Sequence, residues 1–231
     1  MRFLLTALAM LTLAAGAYAD KPGNPDDVFV TPLVECEFEV VTYDWNFATG
    51  DQGFTTATCD DTGGEPMWAW GNEAHFGNCW GTVLDGNYPN NAGEALVSPT
   101  FAVSEASYLV QVAHYFDTEL NFDGCNVKVN GTVIEPMGGY TIAAISTSTT
   151  YYAYCVDGEP GFSGHDLADW AIVYACFDLT EYYGQDVALS FELGADSSVQ
   201  YPGWYLTGVQ VGGLGVATES ETWGTIKSLY R

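Results

Sequence analysis

The feature that most constrains the fold is a run near the C-terminal end in which apolar residues occupy every second position. Val187, Leu189, Phe191 and Leu193 alternate with small or polar residues. This two-residue period is that of a β-strand with one face in a core and the other in water. Glu192 and its outward neighbours are therefore expected to face solvent.

A second β-like run follows after a polar loop. By strict alternation Trp204 and Leu206 fall on one side of the strand, whereas Val209 and Val211 fall on the other. One extra residue at Thr207-Gly208 brings all four apolar side chains to the same side. The sequence therefore predicts a long strand with a β-bulge.

Short strands separated by Gly and Asn turns recur through the rest of the chain. Further strands are predicted at 34–41, 108–116, 151–156 and 170–177. Asn130-Gly131 fits a two-residue type I′ hairpin turn, which places Lys128 on the outward face. No helix is predicted before the C-terminal tail. This pattern predicts an all-β protein, an antiparallel β-sandwich of the jelly-roll type.

The N-terminal end has the organisation of a secretory signal peptide. Residues 1–19 contain a basic residue, an apolar run and a small-residue cleavage site. We expect an extended lead-in at 20–32, one domain at 33–211, and a linker with a short tail at 212–231. The tail is either a recognition or sorting tag, or a frayed or self-docking segment. No other apolar run is long enough for a membrane span, so we expect a secreted or cell-surface protein.

All six cysteines follow the predicted signal peptide. An even count behind an export signal favours disulfides over free thiols. The pairing stays open, because six cysteines can pair in about 15 ways. The disulfide candidates are Cys36, Cys59, Cys79, Cys125, Cys155 and Cys176.

The chain is strongly acidic, with 30 Asp and Glu residues, five Lys and Arg residues, and a formal net charge of −25. Such a surface repels phosphate backbones and anionic lipids, which excludes nucleic acid as a class of partner. Aromatic and β-branched residues are plentiful, so the charge does not indicate disorder.

Nine short motifs occur in a fixed order in the body of the chain. They are W-A-W-G (68–71), C-W-G-T-x-L-x-G-x-Y (79–88), A-L-V-S-P (95–99), H-Y-F-D-T-E (114–119), D-G-C-N-V-K-V (123–129), P-M-G-G-Y (136–140), F-S-G (162–164), F-D-L-T-E-Y-Y-G-Q-D-V-A-L-S-F (177–191) and D-S-S-V-Q-Y-P-G-W-Y-L (196–206). In this order they resemble the MAM-like jelly-roll module of immune-inhibitor-A-type secreted metallopeptidases and other exported bacterial proteins. The resemblance covers about residues 44–211.

The resemblance implies a non-catalytic β-sandwich that binds an extracellular protein or polysaccharide, or supports a neighbouring domain. Fold analogy does not identify the ligand. The family often has two acidic residues after the W-Y pair of its last strand, where this chain has Thr207-Gly208. Any contribution of those acids to a metal site is missing here.

Carboxylates near predicted strand ends make calcium the candidate cofactor. Glu119 and Asp123 are the predicted metal ligands, and Asp178 and Asp196 lie in neighbouring motifs. Calcium binds several hard oxygen ligands, usually including carboxylates. The spacing is not that of an EF-hand loop. In so acidic a chain, a solvated face without a bound ion is the default expectation, and a calcium site is the alternative.

The tryptophans suggest a binding surface for carbohydrate. Trp68, Trp70 and Trp80 are the predicted ligand-binding residues, accompanied by Tyr88 and Trp204. Sugar rings stack on exposed aromatic faces, and jelly rolls commonly host such sites. Packing in the core of a β-sandwich is the alternative.

Little in the sequence points to catalysis. The chain has three histidines and no H-E-x-x-H pattern, which is the peptidase site of the family's multidomain members. His114 alternates with apolar residues and is expected in the core, and Ser163 lies in a predicted turn. We predict no catalytic residues and no enzyme activity. The alternative is a secreted hydrolase, or an accessory domain of one.

Overall fold

The computed structural model describes residues 28–29, 34–59, 64–148, 150–166 and 170–214. The predicted signal peptide, most of the lead-in and nearly all of the tail lie outside the described residues. The strands within these ranges are β1 (Val28–Phe29), β2 (Val40–Asn46), β3 (Thr55–Ala57), β4 (Ala69–Glu73), β5 (Gly77–Gly81), β6 (Gly93–Val97), β7 (Phe101–Ala102), β8 (Leu109–Asp117), β9 (Gly124–Val129), β10 (Thr132–Val133), β11 (His165–Asp166), β12 (Val173–Asp178), β13 (Asp186–Val187), β14 (Leu189–Gly194) and β15 (Gly203–Gly213). One turn of 3-10 helix spans Thr180–Tyr182.

Eight strands form the large sheet. Its order is β1-β11-β8-β15-β5-β4, with β12 also paired to β8 and β2 also paired to β15. The pairing is antiparallel except between β1 and β11. The strands predicted at 108–116 and 170–177 are β8 and β12, although β12 begins three residues later, at Val173.

The predicted bulge lies in β15. Its register against β8 shifts between Leu206 and Gly208, so Thr207 is the extra residue. As a result all four apolar side chains are fully buried, namely those of Trp204, Leu206, Val209 and Val211. The prediction from the broken alternation is confirmed.

The small sheet has five strands in the order β10-β9-β14-β6-β3. The hairpin between β9 and β10 turns at Asn130 and Gly131, whose φ angles are 53° and 76°. A two-stranded pair of β7 and β13 completes the described strands.

The core lies between the two sheets. Val187 and the three apolar residues of β14 are at most 1 % exposed, and Phe191 packs against Trp204 of the large sheet with ring centroids 5.8 Å apart. Burying such a side chain contributes about 2 to 3 kcal/mol. The all-β sandwich is therefore confirmed.

Two strand predictions are wrong. Residues 34–38 keep the alternating burial but lack a ladder, and β2 begins only at Val40. Residues 151–156 form turns rather than a strand. They belong to a segment that packs over the outer face of the small sheet. We call residues 142–148 and 150–161 the covering segment.

The covering segment lies over a row of glycines. Gly93, Gly194 and Gly124 are register partners on adjacent strands. A Cβ at Gly194 would stand 1.6 Å from the main-chain oxygen of Tyr154, and one at Gly124 would stand 2.6 Å from Ile145. The backbone approach needs glycine here, because any side chain would displace the segment.

Lys128 and Glu192 face this covered side, so the expectation that they contact water is wrong. Both are only 6 % exposed. Lys128 Nζ lies 2.9 Å from Glu192 Oε2 and 2.7 Å from Glu159 Oε2, and it donates to the Cys155 oxygen at 3.0 Å. Burial alone would lower the pKa of Lys128, but these carboxylates raise it. The lysine therefore stays charged and holds the covering segment.

Four of the six cysteines form disulfides, Cys36–Cys176 and Cys59–Cys155. The second bond ties the covering segment to the loop after β3. Cys79 and Cys125 are buried free thiols, so their assignment to disulfides is wrong. Burial raises the pKa of both, to about 12 for Cys79, and the thiols are therefore unreactive.

Among the described residues, no helix has the length and apolar character needed to cross a bilayer.

Candidate functional site

Three carboxylates meet at one end of the small sheet. Strand β9 begins after Asp123, and the antiparallel strand β14 ends two residues before Asp196, so both residues lie at the same edge. Glu119 comes from the loop that precedes β9. One oxygen from each of the three residues lies within 4.8 Å of the others. The structure thus brings together the two predicted metal ligands and adds Asp196.

Hydrogen bonds fix the Asp123 carboxylate in place. Its Oδ2 accepts from the Tyr88 hydroxyl at 2.6 Å, and its Oδ1 accepts from the Asp196 N–H at 2.7 Å. The Tyr88 hydroxyl also accepts from the Glu119 N–H at 3.1 Å. Tyr88 is fully buried and therefore serves as a support for this site rather than as an aromatic platform.

The loop that carries Glu119 and Asp123 is also held from the segment that precedes β11. Ser163 Oγ donates to the Asp123 main-chain oxygen at 2.6 Å and accepts from the Asn121 N–H at 2.9 Å. Ser146, within the covering segment, donates its N–H to the Asn121 oxygen. The carboxylates therefore stand where four loops converge.

The electrostatics of this cluster favour a bound cation. Burial, together with the charges of Asp196 and Glu119, raises the pKa of Asp123 to about 8. Close, desolvated carboxylates repel one another unless one takes up a proton or a cation neutralises them. Asn90 Oδ1 is buried and has no hydrogen-bond partner among the described residues. Asn90 adjoins Asn91, whose N–H donates to the Asp196 oxygen.

The three carboxylates fit calcium, because all of them offer hard oxygens. A second candidate group of metal ligands consists of Glu192, Cys59 and Cys155. It does not fit a metal, because both sulfurs are joined in a disulfide. Asp178 is not part of the cluster either. It is exposed at the end of β12, where its Oδ1 accepts from the Thr180 N–H at 2.8 Å.

The three predicted ligand-binding tryptophans do not form a common exposed surface. Trp68 and Trp80 are each 7 % exposed. Trp68 Nε1 donates to the Glu94 oxygen, and Trp80 Nε1 donates to the Asp51 oxygen. Only Trp70 reaches solvent, at 37 % exposure. The predicted platform is wrong, because two of its members pack in the core.

A second aromatic group lies on the outer face of the large sheet, around the buried rings of Tyr115 and Tyr205. Tyr115 stands on the sheet, and Trp170 stacks on it with centroids 5.0 Å apart. His75 stacks on the other face of Trp170 at 3.8 Å, with the rings 1° from parallel. Phe76 and Tyr205 pack beside this stack. Residues remote in sequence build this group, so the spacing of single motifs could not reveal it.

The histidines have structural contacts. His114 is 1 % exposed, and its Nδ1 accepts from Trp204 Nε1 at 3.0 Å, so the neutral ring carries its proton on Nε2. Burial lowers the pKa of His114 to about 3. His75 Nδ1 lies 2.9 Å from Glu73 Oε1. His165 lies in β11, paired with Asp117 of β8.

No family model matches the sequence, and no curated protein matches it. Solved structures that are similar include the K1 cleaved adhesin domain of Lys-gingipain from Porphyromonas gingivalis W83, with 13 % identity, 75 % of this chain and 98 % of that chain covered, and a TM-score of 0.41. The K3 domain of the same protein shows 13 % identity, coverage of 76 % and 100 %, and a TM-score of 0.37.

Another similar structure is the isomalto-dextranase of Arthrobacter globiformis T6, complexed with panose. It shows 12 % identity and a TM-score of 0.31, and the match covers 69 % of this chain and 23 % of that one. Superpositions of this quality assign neither a family nor an activity. The strand pairing defines the class of protein as an all-β sandwich.

Proposed function

We propose that the protein is an exported, non-catalytic binding module of the adhesion type. The observation that carries the proposal is that its potentially reactive side chains make structural contacts. His114 accepts a hydrogen bond in the core, Ser163 supports the Asp123 loop, and Cys79 and Cys125 are buried with raised pKa values. A catalytic site instead needs a base and a nucleophile in mutual reach.

Export is supported by the disulfides and by the sequence of residues 1–19. Disulfides persist in oxidising compartments, and a secretory signal would deliver the chain to one. Membership of the MAM-like family also remains a proposal. Its support is the order of the nine motifs together with the antiparallel sandwich.

Calcium is the proposed cofactor, held by Glu119, Asp123 and Asp196. The ion would neutralise the three carboxylates and join the loop before β9 to the loops beside β6 and β14. Its role would be structural, since these residues support one another and the covering segment. A fixed loop end lowers the cost of ordering a binding surface when a ligand arrives.

A binding and turnover panel tests the proposed function. The purified chain is applied to immobilised gelatin, mucin and polysaccharides, and the same polymers and casein are assayed for released peptides or reducing sugars. We expect retention on at least one polymer without turnover, and no retention of the reduced and alkylated protein. Turnover that a point substitution abolishes would instead support the hydrolase alternative.

A further inference from the structure

Exposed apolar side chains are concentrated at the point where β15 ends. Val41 and Val40 of β2 are the register partners of the last two residues of β15, and Leu214 follows that strand directly. All three side chains are more than 40 % exposed. Val199 matches them in exposure but precedes β15, and it therefore lies at the opposite end of this strand, about 35 Å away.

A tyrosine pair extends this surface on the other side of β15. The Tyr108 N–H donates to the Gly212 oxygen at 2.9 Å, and the ring of Tyr183 packs edge-on against Tyr108 with centroids 5.6 Å apart. Tyr183 is itself exposed. Among the described strands, β2 pairs only with β15, so an open sheet edge borders these side chains. We call Val40, Val41, Tyr183 and Leu214 the end patch.

Carboxylates border the end patch. Glu35, Glu37 and Glu39 are exposed and directly precede β2. The Glu39 N–H donates to the Gly213 oxygen at 3.0 Å, so this acidic run lies beside the end of β15. Lys128, the only lysine or arginine among the described residues, is held in the buried ion group of the other sheet. The border of the patch is therefore negative, and no described lysine or arginine neutralises it.

The sequence that follows Leu214 has the complementary chemistry. Residues 222–231, which we call the basic tail, contain two of the five Lys and Arg residues of the chain and no Asp or Glu. They also contain four large apolar or aromatic side chains, those of Trp223, Ile226, Leu229 and Tyr230. The connection from Leu214 to Trp223 reaches at most about 30 Å when it is extended. The basic tail is therefore tethered within reach of the end patch.

We propose that the basic tail packs on the end patch of its own chain. Its apolar side chains cover the exposed valines, and Lys227 and Arg231 pair with the acidic run before β2. A segment on a short linker acts at an effective concentration on the order of millimolar. A dissociation constant of about 0.1 mM then keeps the tail docked for about nine-tenths of the time. Docking also covers the open edge of β2, which limits edge-to-edge association.

The chain's own tail is a better occupant of the end patch than a second copy of the protein. Two copies each carry a formal net charge of −25 and repel one another. The basic tail, in contrast, brings positive charge and is already attached beside the patch. This inference goes beyond the proposed function, because docking of the tail requires no ligand.

Limited digestion of the exported chain with trypsin tests the inference, because trypsin cleaves after Lys and Arg and the chain has few such sites. Lys21 is followed by Pro22, which blocks cleavage, and Lys128 is buried. The bond between Lys227 and Ser228 therefore reports on the tail. Mass spectrometry measures the release of residues 228–231. The cleavage rate follows the undocked fraction when docking is faster than cleavage.

The variants change the end patch and leave the basic tail intact. Val40→Ser combined with Val41→Ser removes apolar surface, and it should speed cleavage after Lys227 about tenfold. Val199→Ser is the matched control, because this valine is equally exposed at the opposite end of β15. It should be cleaved at the rate of the unmodified chain. The melting temperature of each variant shows whether the fold is kept.

A charge variant tests the ionic part of the contact. Replacing Glu35, Glu37 and Glu39 together by glutamine removes the acidic run. Exposed ion pairs are weak and are screened by salt, so we expect cleavage about threefold faster at low ionic strength. Adding about 0.5 M NaCl should speed cleavage of the unmodified chain and change the charge variant much less. A small trypsin substrate corrects for the effect of salt on the enzyme.

Two results overturn the inference. One is equal cleavage after Lys227 in the unmodified chain and in the double serine variant, which would show that the tail does not pack on the end patch. The other is protection that increases with protein concentration, which would place the tail on a second copy. Neither result concerns retention on a polymer, so the binding panel judges the proposed function separately.

Discussion

The outer faces of the two sheets differ in what covers them. On the small sheet, the covering segment lies on the glycine row at Gly93, Gly194 and Gly124, is held by Lys128, and is joined through Cys155 to Cys59. On the large sheet, the outward residues Gln111 and Gln210 are half-buried and Asp44 is exposed. One face is therefore covered by the chain itself, and the polar part of the other reaches solvent.

The largest difference in stability between the two faces is expected when a glycine is replaced by alanine. Gly194→Ala places a Cβ 1.6 Å from the Tyr154 oxygen, whereas Gly208→Ala meets only the Trp45 oxygen at 3.6 Å. We expect Gly194→Ala to lose about 5 kcal/mol or more, because the covering segment must move. Gly208→Ala should change stability by less than about 0.5 kcal/mol.

Urea unfolding with the disulfides intact measures both values, and the yield of folded protein covers the case in which Gly194→Ala does not fold. Equal stability of the two variants would show that the covering segment does not lie on the glycine row.

The next largest loss of stability is expected when the buried ion group of Lys128, Glu192 and Glu159 is broken. Lys128→Met leaves Glu192 and Glu159 without their cation, and a broken buried pair costs about 3 to 5 kcal/mol. Gln111→Met, on the outer face of the large sheet, loses the hydrogen bond from the Cys36 N–H and should cost only about 1 kcal/mol. Urea unfolding at pH 7 measures the free energy of unfolding of both variants.

The pH dependence of the stability of Lys128→Met tests whether the buried carboxylates lack their counter-charge. Burial raises the pKa of Glu192, and Lys128 opposes that rise in the unmodified chain. A carboxyl whose folded pKa lies above its unfolded value stabilises the fold below the unfolded pKa and loses that effect as pH rises. The variant should therefore recover part of its stability at pH 5. A deficit that is the same at pH 5 and pH 8 would contradict this account.

Chelation tests the proposed calcium site, with a smaller expected effect. Calcium at 100 times its dissociation constant adds about 3 kcal/mol. Without calcium, the pKa of Asp123 at about 8 lies above its unfolded value, so stability should fall as pH rises from about 4 through 8. Calcium should reverse this trend, because it binds the ionised carboxylates.

Melting curves in EDTA and in calcium, at pH 5 and pH 8, measure these effects. Asp123→Asn should abolish the response to calcium, and Asp178→Asn, which lies outside the cluster, should keep it. Coincident curves for the unmodified chain with and without calcium would dismiss the site.

The last effect concerns the core that both faces share. His114 has a folded pKa of about 3, below its unfolded value, so its contribution to stability is lost as pH falls from about 6.5 toward 3. His114→Asn keeps an acceptor for Trp204 Nε1 and cannot take up a proton. The free energy of unfolding of this variant should fall less steeply as pH decreases. The slopes of the variant and the unmodified chain should differ by up to about 1.4 kcal/mol per pH unit. Parallel pH profiles would contradict the buried neutral histidine.

Local patterns were enough to predict the elements that depend on neighbours in sequence. The Asn130-Gly131 turn and the bulge beside Gly208 follow from the preferences of two or three residues. Alternation also identified the inward face of β14. It could not show what covers the outward face, and for that reason Lys128 and Glu192 were expected in water.

The site residues illustrate the same limit. Glu119 and Asp123 were predicted because both lie near a strand end, and Asp196 joins them because β14 pairs with β9. Trp68 and Trp80 were expected at the surface, yet tryptophan side chains are equally suited to the core. The stack of His75, Trp170 and Tyr115 depends on long-range register.

Side-chain footprinting tests most directly the claim that the two faces have different tasks. Hydroxyl radicals label the chain with and without the polymer that retains it in the binding panel, and mass spectrometry measures oxidation at each aromatic residue. The account predicts protection of Trp170 and Phe76 and unchanged labelling of Tyr151 and Tyr152, which are 40 % and 47 % exposed on the covering segment. Protection of the two tyrosines, with Trp170 and Phe76 unaffected, would contradict it.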